Sequence, residues 1–130
     1  MTKRTRRILI IDDEDSIRDG CRQILERMGH EVETTGEAEY GLKLALSDRF
    51  DVILLDIRLP RMEGTDILRI LKKEQMISAR VIVITGYGTI PLAVEAMRLG
   101  AVNFLTKPFG APELRKAVEE CLAEDQPASS

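Results

Sequence analysis

The sequence predicts an α/β domain built on a parallel sheet with helices on both faces. Three observations predict it. Wholly apolar runs recur at Ile8-Leu9-Ile10-Ile11, Val52-Ile53-Leu54-Leu55 and Val81-Ile82-Val83-Ile84. Runs without polar alternation are strands buried on both faces, the mark of a parallel sheet. The segments between them carry apolar residues at helical spacing. The runs end in acids or hydroxyls, at the edge where open α/β sheets place their sites.

The elements follow in alternation. A first strand is expected over about 6–11, then a helix over about 15–28. That helix has a single apolar stripe of Ile17, Cys21, Ile24, Leu25 and Met28, and Gly29 suits its C-terminal cap. A short strand at about 31–34 precedes a helix over about 37–47, with Ala38, Leu42, Ala45 and Leu46 expected inward. The third strand spans about 51–56, and Gly64 stands before a helix over about 65–74 that carries Ile67, Leu68, Ile70 and Leu71. A fourth strand at 80–84 leads to a helix over about 90–99, opened by Pro91 and closed by Gly100. A fifth strand at about 102–105 precedes a last helix starting at Pro112, with Leu114, Val118, Cys121 and Leu122 on one face. Five βα units with right-handed crossovers fit a single flavodoxin-like, doubly wound (βα)5 domain, a five-stranded parallel sheet of order 2-1-3-4-5. The domain is expected over 1–123. Residues 124–130, which lose apolar periodicity, read as a tail or the start of a linker.

With 130 residues, 44% hydrophobic and 32% charged, the composition suits one globular domain with an aliphatic core, since there is no Trp. A net charge of −3 argues against a dedicated nucleic-acid surface. The basic run Lys3-Arg4-Thr5-Arg6-Arg7 reads as a solubilising end. The apolar stretch after it is shorter than the roughly 7–15 residues of a secretory segment. No stretch approaches the roughly 20 apolar residues of a membrane span, so a cytoplasmic chain without a membrane partner is expected. Cys21 and Cys121 fall on apolar helical faces as buried thiols, and His30 stands alone at a turn.

The order 2-1-3-4-5 makes the first and third strands neighbours at the switch point. Asp12 and Asp13, after the first strand, then converge with Asp56, at the end of the third. Carboxylates this close repel one another, and a hard divalent cation, Mg²⁺ or Mn²⁺, relieves that repulsion. Asp13 and Asp56 suit direct ligation, Asp12 a metal-bound water, and the backbone carbonyl of Arg58 a neutral ligand. Thr85, ending the fourth strand, offers a hydroxyl, and Lys107, after the fifth, an ammonium. A carboxylate nucleophile with a metal and a lysine to neutralise equatorial oxygens is a kit for phosphoryl transfer through an acyl phosphate. There is no Gly-x-x-x-x-Gly-Lys-Ser/Thr loop and no Gly-x-Gly-x-x-Gly after the first strand. The Asp-Asp-Glu-Asp loop would repel a phosphate bound there.

These residues resemble the response-regulator receiver domain of two-component signalling, over about 6–123. The resemblance rests on Asp12-Asp13, on Asp56 followed by Pro60 and Gly64, on Thr85-Gly86, and on Lys107-Pro108-Phe109. It implies that Asp56 is the phosphoacceptor for a sensor histidine kinase and that Asp12 and Asp13 form the metal pocket. It also implies that Thr85 is the switch hydroxyl, Lys107 the phosphate-binding lysine and Phe104 the aromatic switch. Phe104 lacks the hydroxyl of the Tyr often found there, so its signal would be steric. Arg58 and Tyr87, two residues beyond Asp56 and Thr85, are expected to hinder water and slow hydrolysis. The Lys107-Pro108 peptide is expected to be cis.

The stretch from Thr85 to Met97 is similar to receivers of the nitrogen-regulation (NtrC-like) class. That similarity implies an output domain activating sigma-54 RNA polymerase, and a possible homodimer through the face of the fourth helix, fifth strand and fifth helix. The alternatives are a stand-alone interaction module and a metal-dependent phosphatase. The latter would need a substrate pocket and a turnover base, and the sequence suggests neither.

Overall fold

The computed structural model describes residues 5–86 and 88–123. Strands and helices alternate throughout. They are β1 (Arg7–Ile11), α1 (Asp15–Arg27), β2 (Glu31–Thr35), α2 (Ala38–Leu46), β3 (Val52–Asp56), α3 (Gly64–Arg69, continued by a π-helical turn at Ile70–Glu74), β4 (Arg80–Thr85), α4 (Ile90–Arg98), β5 (Asn103–Thr106) and α5 (Ala111–Ala123). All pairings are parallel, in the order β2-β1-β3-β4-β5. The sheet and its order are those expected from the apolar runs.

The two-residue period of a strand sends neighbouring side chains to opposite faces. Leu9, Ile11, Ile53, Leu55, Val81 and Val83 enter one core with α2, α3 and α4, while Ile8, Ile10, Val52, Leu54 and Ile82 enter the other with α1 and α5. β3 is buried along its whole length, so both its faces need apolar residues. Each fully buried Leu or Ile contributes roughly 1.5–3 kcal/mol. Cys21 and Cys121 lie as buried thiols in the α1–α5 core, and burial pushes the Cys21 thiol up to about 11.

Both helix ends with Gly just beyond them close in the same way. After α1, Gly29 (φ +94°) donates to Glu26 O and His30 N to Leu25 O; after α4, Gly100 (φ +112°) donates to Met97 O and Ala101 N to Ala96 O. This paired closure requires the left-handed backbone that glycine adopts without a Cβ penalty. Pro91 lies in the first turn of α4, whose N-cap Thr89 accepts from Leu92 N at 3.3 Å.

Two expectations are corrected. Leu46 does not face inward; it is 41% exposed, and α2 buries Ala38, Gly41, Leu44 and Ala45 instead. The true stripe is rotated because Gly41, which offers no apolar side chain, lies flat against Ile11, so that a Cβ at 41 would stand 2.8 Å from Ile11 Cδ1. The helix expected over 65–74 is α-helical only to Arg69. Its last turn widens so that Gln75 N reaches Ile70 O at 2.8 Å. Lys72 lies in that turn and donates to Ile77 O at 2.8 Å and Ala79 O at 2.9 Å. Its ammonium thereby satisfies carbonyls of the loop that leads into β4. Burial, with Arg80 nearby, lowers the Lys72 pKa.

Candidate functional site

The C-terminal edge of the sheet carries the chemistry because three strands deliver polar groups there in register. Asp56 ends β3 opposite Ile84, Thr85 extends β4 one residue further, and Asp12 follows β1 directly. Asp12, Asp56 and Thr85 are the buried polar residues of an otherwise apolar core among the described residues. Asp13 is exposed at the rim, and the carboxylates of Asp12, Asp13 and Asp56 each bring an oxygen within 4.8 Å of the others.

Each buried carboxylate has one oxygen tied to the backbone two residues ahead. Asp12 Oδ1 accepts from Glu14 N at 2.9 Å, and Asp56 Oδ1 accepts from Arg58 N at 3.0 Å. The second oxygens turn toward Lys107, whose Nζ lies 2.8 Å from Asp12 Oδ2 and 3.2 Å from Asp56 Oδ2. Lys107 also meets Glu14 Oε1 at 2.5 Å. Its backbone is fixed by Lys107 N donating to Thr85 O at 2.7 Å, and the Lys107-Pro108 peptide is cis, as expected.

The loop after β3 is pressed onto this edge. Gly64 N donates to Ile57 O at 2.8 Å, and Arg58 bridges Glu63. A Cβ at Gly64 would stand 2.6 Å from Ile57 Cα and closer still to Asp56 O, so only glycine permits the approach.

Burial dominates the electrostatics of Asp12. It raises the carboxyl to about 6, with the Lys107 ammonium and the Glu14 backbone N–H opposing the rise and Asp56 adding to it. For Lys107, burial opposes the charge, but Asp12, Glu14 and Asp56 outweigh it and push the ammonium up. Asp12 Oδ2 is buried and accepts no hydrogen bond of good geometry, although Lys107 pairs with its charge. A buried carboxylate oxygen short of hydrogen bonds, beside two further carboxylates, fits a hard, oxygen-seeking divalent cation.

The structure thus brings together Asp12, Asp13, Asp56 and Lys107, with Thr85 at the same edge and Arg58 in the adjoining turn. Phe104 is half-buried, paired with Val83 across the sheet, and packs against the core that α4 shares. Tyr87 lies outside the described residues, as do Arg4 and the 124–130 tail. Sequence reasoning missed Glu14 as a partner of Lys107. Its place in the Asp-Asp-Glu-Asp run is the only signal, since the two residues are far apart along the chain.

Residues 8–119 match the family profile of the response regulator receiver domain. The chain is 34% identical over 122 residues to the transcriptional regulatory protein FixJ of Bradyrhizobium diazoefficiens, a match spanning 94% of this chain and 59% of that protein. Among solved structures it resembles a CheY-like response regulator receiver domain protein from Methanospirillum hungatei (TM-score 0.86, 36% identity, 93% and 96% coverage). It also resembles the beryllofluoride-activated NtrC4 receiver domain dimer (TM-score 0.85, 32% identity, 92% and 98% coverage). The chain spans from a quarter to three fifths of the length of the curated relatives it matches.

Proposed function

The chain belongs to the response-regulator receiver family, and on that footing we propose that it accepts a phosphoryl group on Asp56 from a partner sensor histidine kinase and relays the event to a transcriptional output domain. The observation that carries this reading is the gathering of Asp12, Asp13, Asp56 and Lys107 at one sheet edge.

The chemistry follows from how Asp56 is held. The Arg58 N–H anchors Oδ1, leaving Oδ2 as the nucleophile. Oδ2 attacks phosphorus, the P–N bond to the kinase imidazole breaks, and its electron pair leaves on the nitrogen, which takes a proton from solvent. The product is an acyl phosphate. Lys107, already 3.2 Å from Oδ2, is placed to pair with a new phosphoryl oxygen. Mg²⁺ or Mn²⁺, held by Asp12, Asp13, Asp56 and the Arg58 backbone carbonyl, would neutralise the charge shared by the carboxylate and the phosphoryl group. The chain's own catalysis is confined to forming and losing its acyl phosphate.

Thr85 is proposed to swing its hydroxyl toward the phosphoryl group, and Phe104 to fill the space vacated, shifting the population of two packings of α4, β5 and α5. That face already exposes apolar residues one helical turn apart on α4: Ile90, 80% exposed, with Val94 and Met97. It suits a homodimer and contact with an output domain, and the NtrC-like stretch from Thr85 to Met97 supports one of the sigma-54-activating kind. We assign residues 1–123 to the receiver and 124–130 to a tail or the start of a linker. No helix among the described residues is long and apolar enough to cross a membrane, in keeping with a proposed cytoplasmic site. Direct nucleic-acid contact by this domain has no place in the reading.

The decisive experiment treats the chain with acetyl phosphate and Mg²⁺ and locates the label by intact mass and peptide mapping. A single phosphoryl group, lost in Asp56→Asn, is expected. Undiminished labelling of that variant would overturn the assignment.

A further inference from the structure

The proposed chemistry needs Asp12 and Asp13 gathered before any cation arrives, yet their mutual repulsion works against it. The loop that carries them must therefore be held from outside. Among the described residues its backbone is tied to the sheet by Asp12 N donating to Thr35 O at 3.1 Å, while Lys107 pairs with its side chains at Asp12 and Glu14. A further tie to its backbone is a side chain. Arg18, whose N–H makes the first helical bond of α1 to Glu14 O, folds back toward the helix N-terminus, and its Nη1 donates to Asp12 O at 2.6 Å. Its Nη2 pairs with Asp15. The side chain is only 20% exposed.

This placement is costly on two counts. A cation near a helix N-terminus opposes the helix dipole. A guanidinium close to a cation site also repels the cation. What it gains shows on its other side. A Cβ at Gly36, in the β2–α2 connection, would stand 2.6 Å from Arg18 Nη1 and 3.5 Å from Asp13 Cα. The guanidinium therefore occupies the space where a side chain at 36 would sit, wedged between the acid loop and the end of β2.

We propose that Arg18 is the positioning residue of the acidic pocket, fixing the Asp12-Asp13 backbone through the Asp12 carbonyl, and that position 36 is glycine because the wedge needs its space. The proposal rests on the reading of these acids as cation ligands. It separates cleanly from a charge effect, because the two have opposite signs. If Arg18 acts only as a charge, its removal strengthens cation binding; if it positions the loop, its removal weakens binding. Lysine keeps the charge but cannot present the planar fork.

The test is Mg²⁺ titration by calorimetry of the wild-type chain, Arg18→Ala, Arg18→Lys, Gly36→Ala and the Arg18→Ala/Gly36→Ala double variant, with circular dichroism confirming the fold of each. Outer-shell groups that orient metal ligands typically change affinity 10–100-fold. Arg18→Ala is expected to bind Mg²⁺ about tenfold more weakly, near the low end of that range. Arg18→Lys should remain weakened. Gly36→Ala should be weakened although every charged group is retained, and the double variant should be no worse than Arg18→Ala alone. Equal or tighter binding by Arg18→Ala overturns the proposal, as does wild-type affinity in Gly36→Ala. Should Arg18→Ala not fold, Gly36→Ala decides alone. A wild-type chain that takes up no Mg²⁺ overturns the cation-site reading itself, whereas a normal wild type with unaffected variants overturns only the role of Arg18.

Discussion

Asp12→Asn should stabilise the metal-free protein at neutral pH while removing its capacity for tight Mg²⁺ binding. The argument starts from burial. Asp12 is fully inaccessible, and its carboxyl is raised from 3.8 to about 6 despite the nearby Lys107 ammonium. A raised acid binds its proton more tightly in the folded state than in the unfolded chain. Between about pH 4 and pH 6 the native state therefore holds more protons, so Asp12 makes stability fall as pH rises through that window. At about 1.4 kcal/mol per unit, the shift amounts to roughly 3 kcal/mol of destabilisation above pH 6. Asparagine has nearly the same shape and no charge to desolvate, and Lys107 keeps Glu14 and Asp56 as partners. Urea unfolding in EDTA at closely spaced pH values from 4 to 7.5 measures the difference. The variant should exceed wild type by roughly 3 kcal/mol at pH 7, equivalent to roughly 10 °C in melting temperature. The gap should close toward pH 4. Carboxylates away from the pocket cancel in the comparison, so a gap that is absent at pH 7, or that widens on acidification, refutes the reasoning. In the wild type, Mg²⁺ must displace the Asp12 proton below about pH 6, so its affinity should fall up to tenfold per pH unit there.

Gly64→Ala should lower both stability, by roughly 2–4 kcal/mol, and the rate of labelling by acetyl phosphate, because a Cβ there forces the loop away from Asp56 and Ile57; denaturant midpoints and labelling kinetics report the two. Arg61 sits at φ +74° after Pro60, a left-handed position that glycine takes freely, so Arg61→Gly should leave Mg²⁺ affinity unchanged and stabilise the fold by up to about 1 kcal/mol. A measurable loss of stability would contradict that. Replacing Arg58 and Tyr87 together by small residues should speed loss of the aspartyl phosphate, followed by the decay of the intact phosphoprotein mass, and slower decay would reverse the assignment of these residues as barriers to water.

The parts of this site that the sequence discloses are those that depend on strand ends. Wholly apolar runs mark β1, β3 and β4 without ambiguity, and once alternation sets the order 2-1-3-4-5, the last residue of each strand has a known neighbour. Asp12, Asp13 and Asp56 were legible together for that reason, and Lys107 because it follows β5 on the same edge. What stayed hidden depends on how a long side chain turns after it leaves the backbone. Glu14 and Lys107 meet although 93 residues separate them in the chain, and Arg18 reads in the sequence as one more polar residue on the outer side of an amphipathic helix. Its fold back beneath Asp12 is visible only once Gly36 is seen to leave room for it. The exposure of Leu46 and the widened turn at Ile70–Glu74 have the same origin: a helical period states which residues share a face, but the elements packed against it decide which face turns inward and where the hydrogen bonds slip. Receivers built on one sheet can therefore share their acids while differing in what holds those acids together. Variation in phosphorylation chemistry among such chains should be sought at positions like 14, 18 and 36, beside the motif, as much as within it.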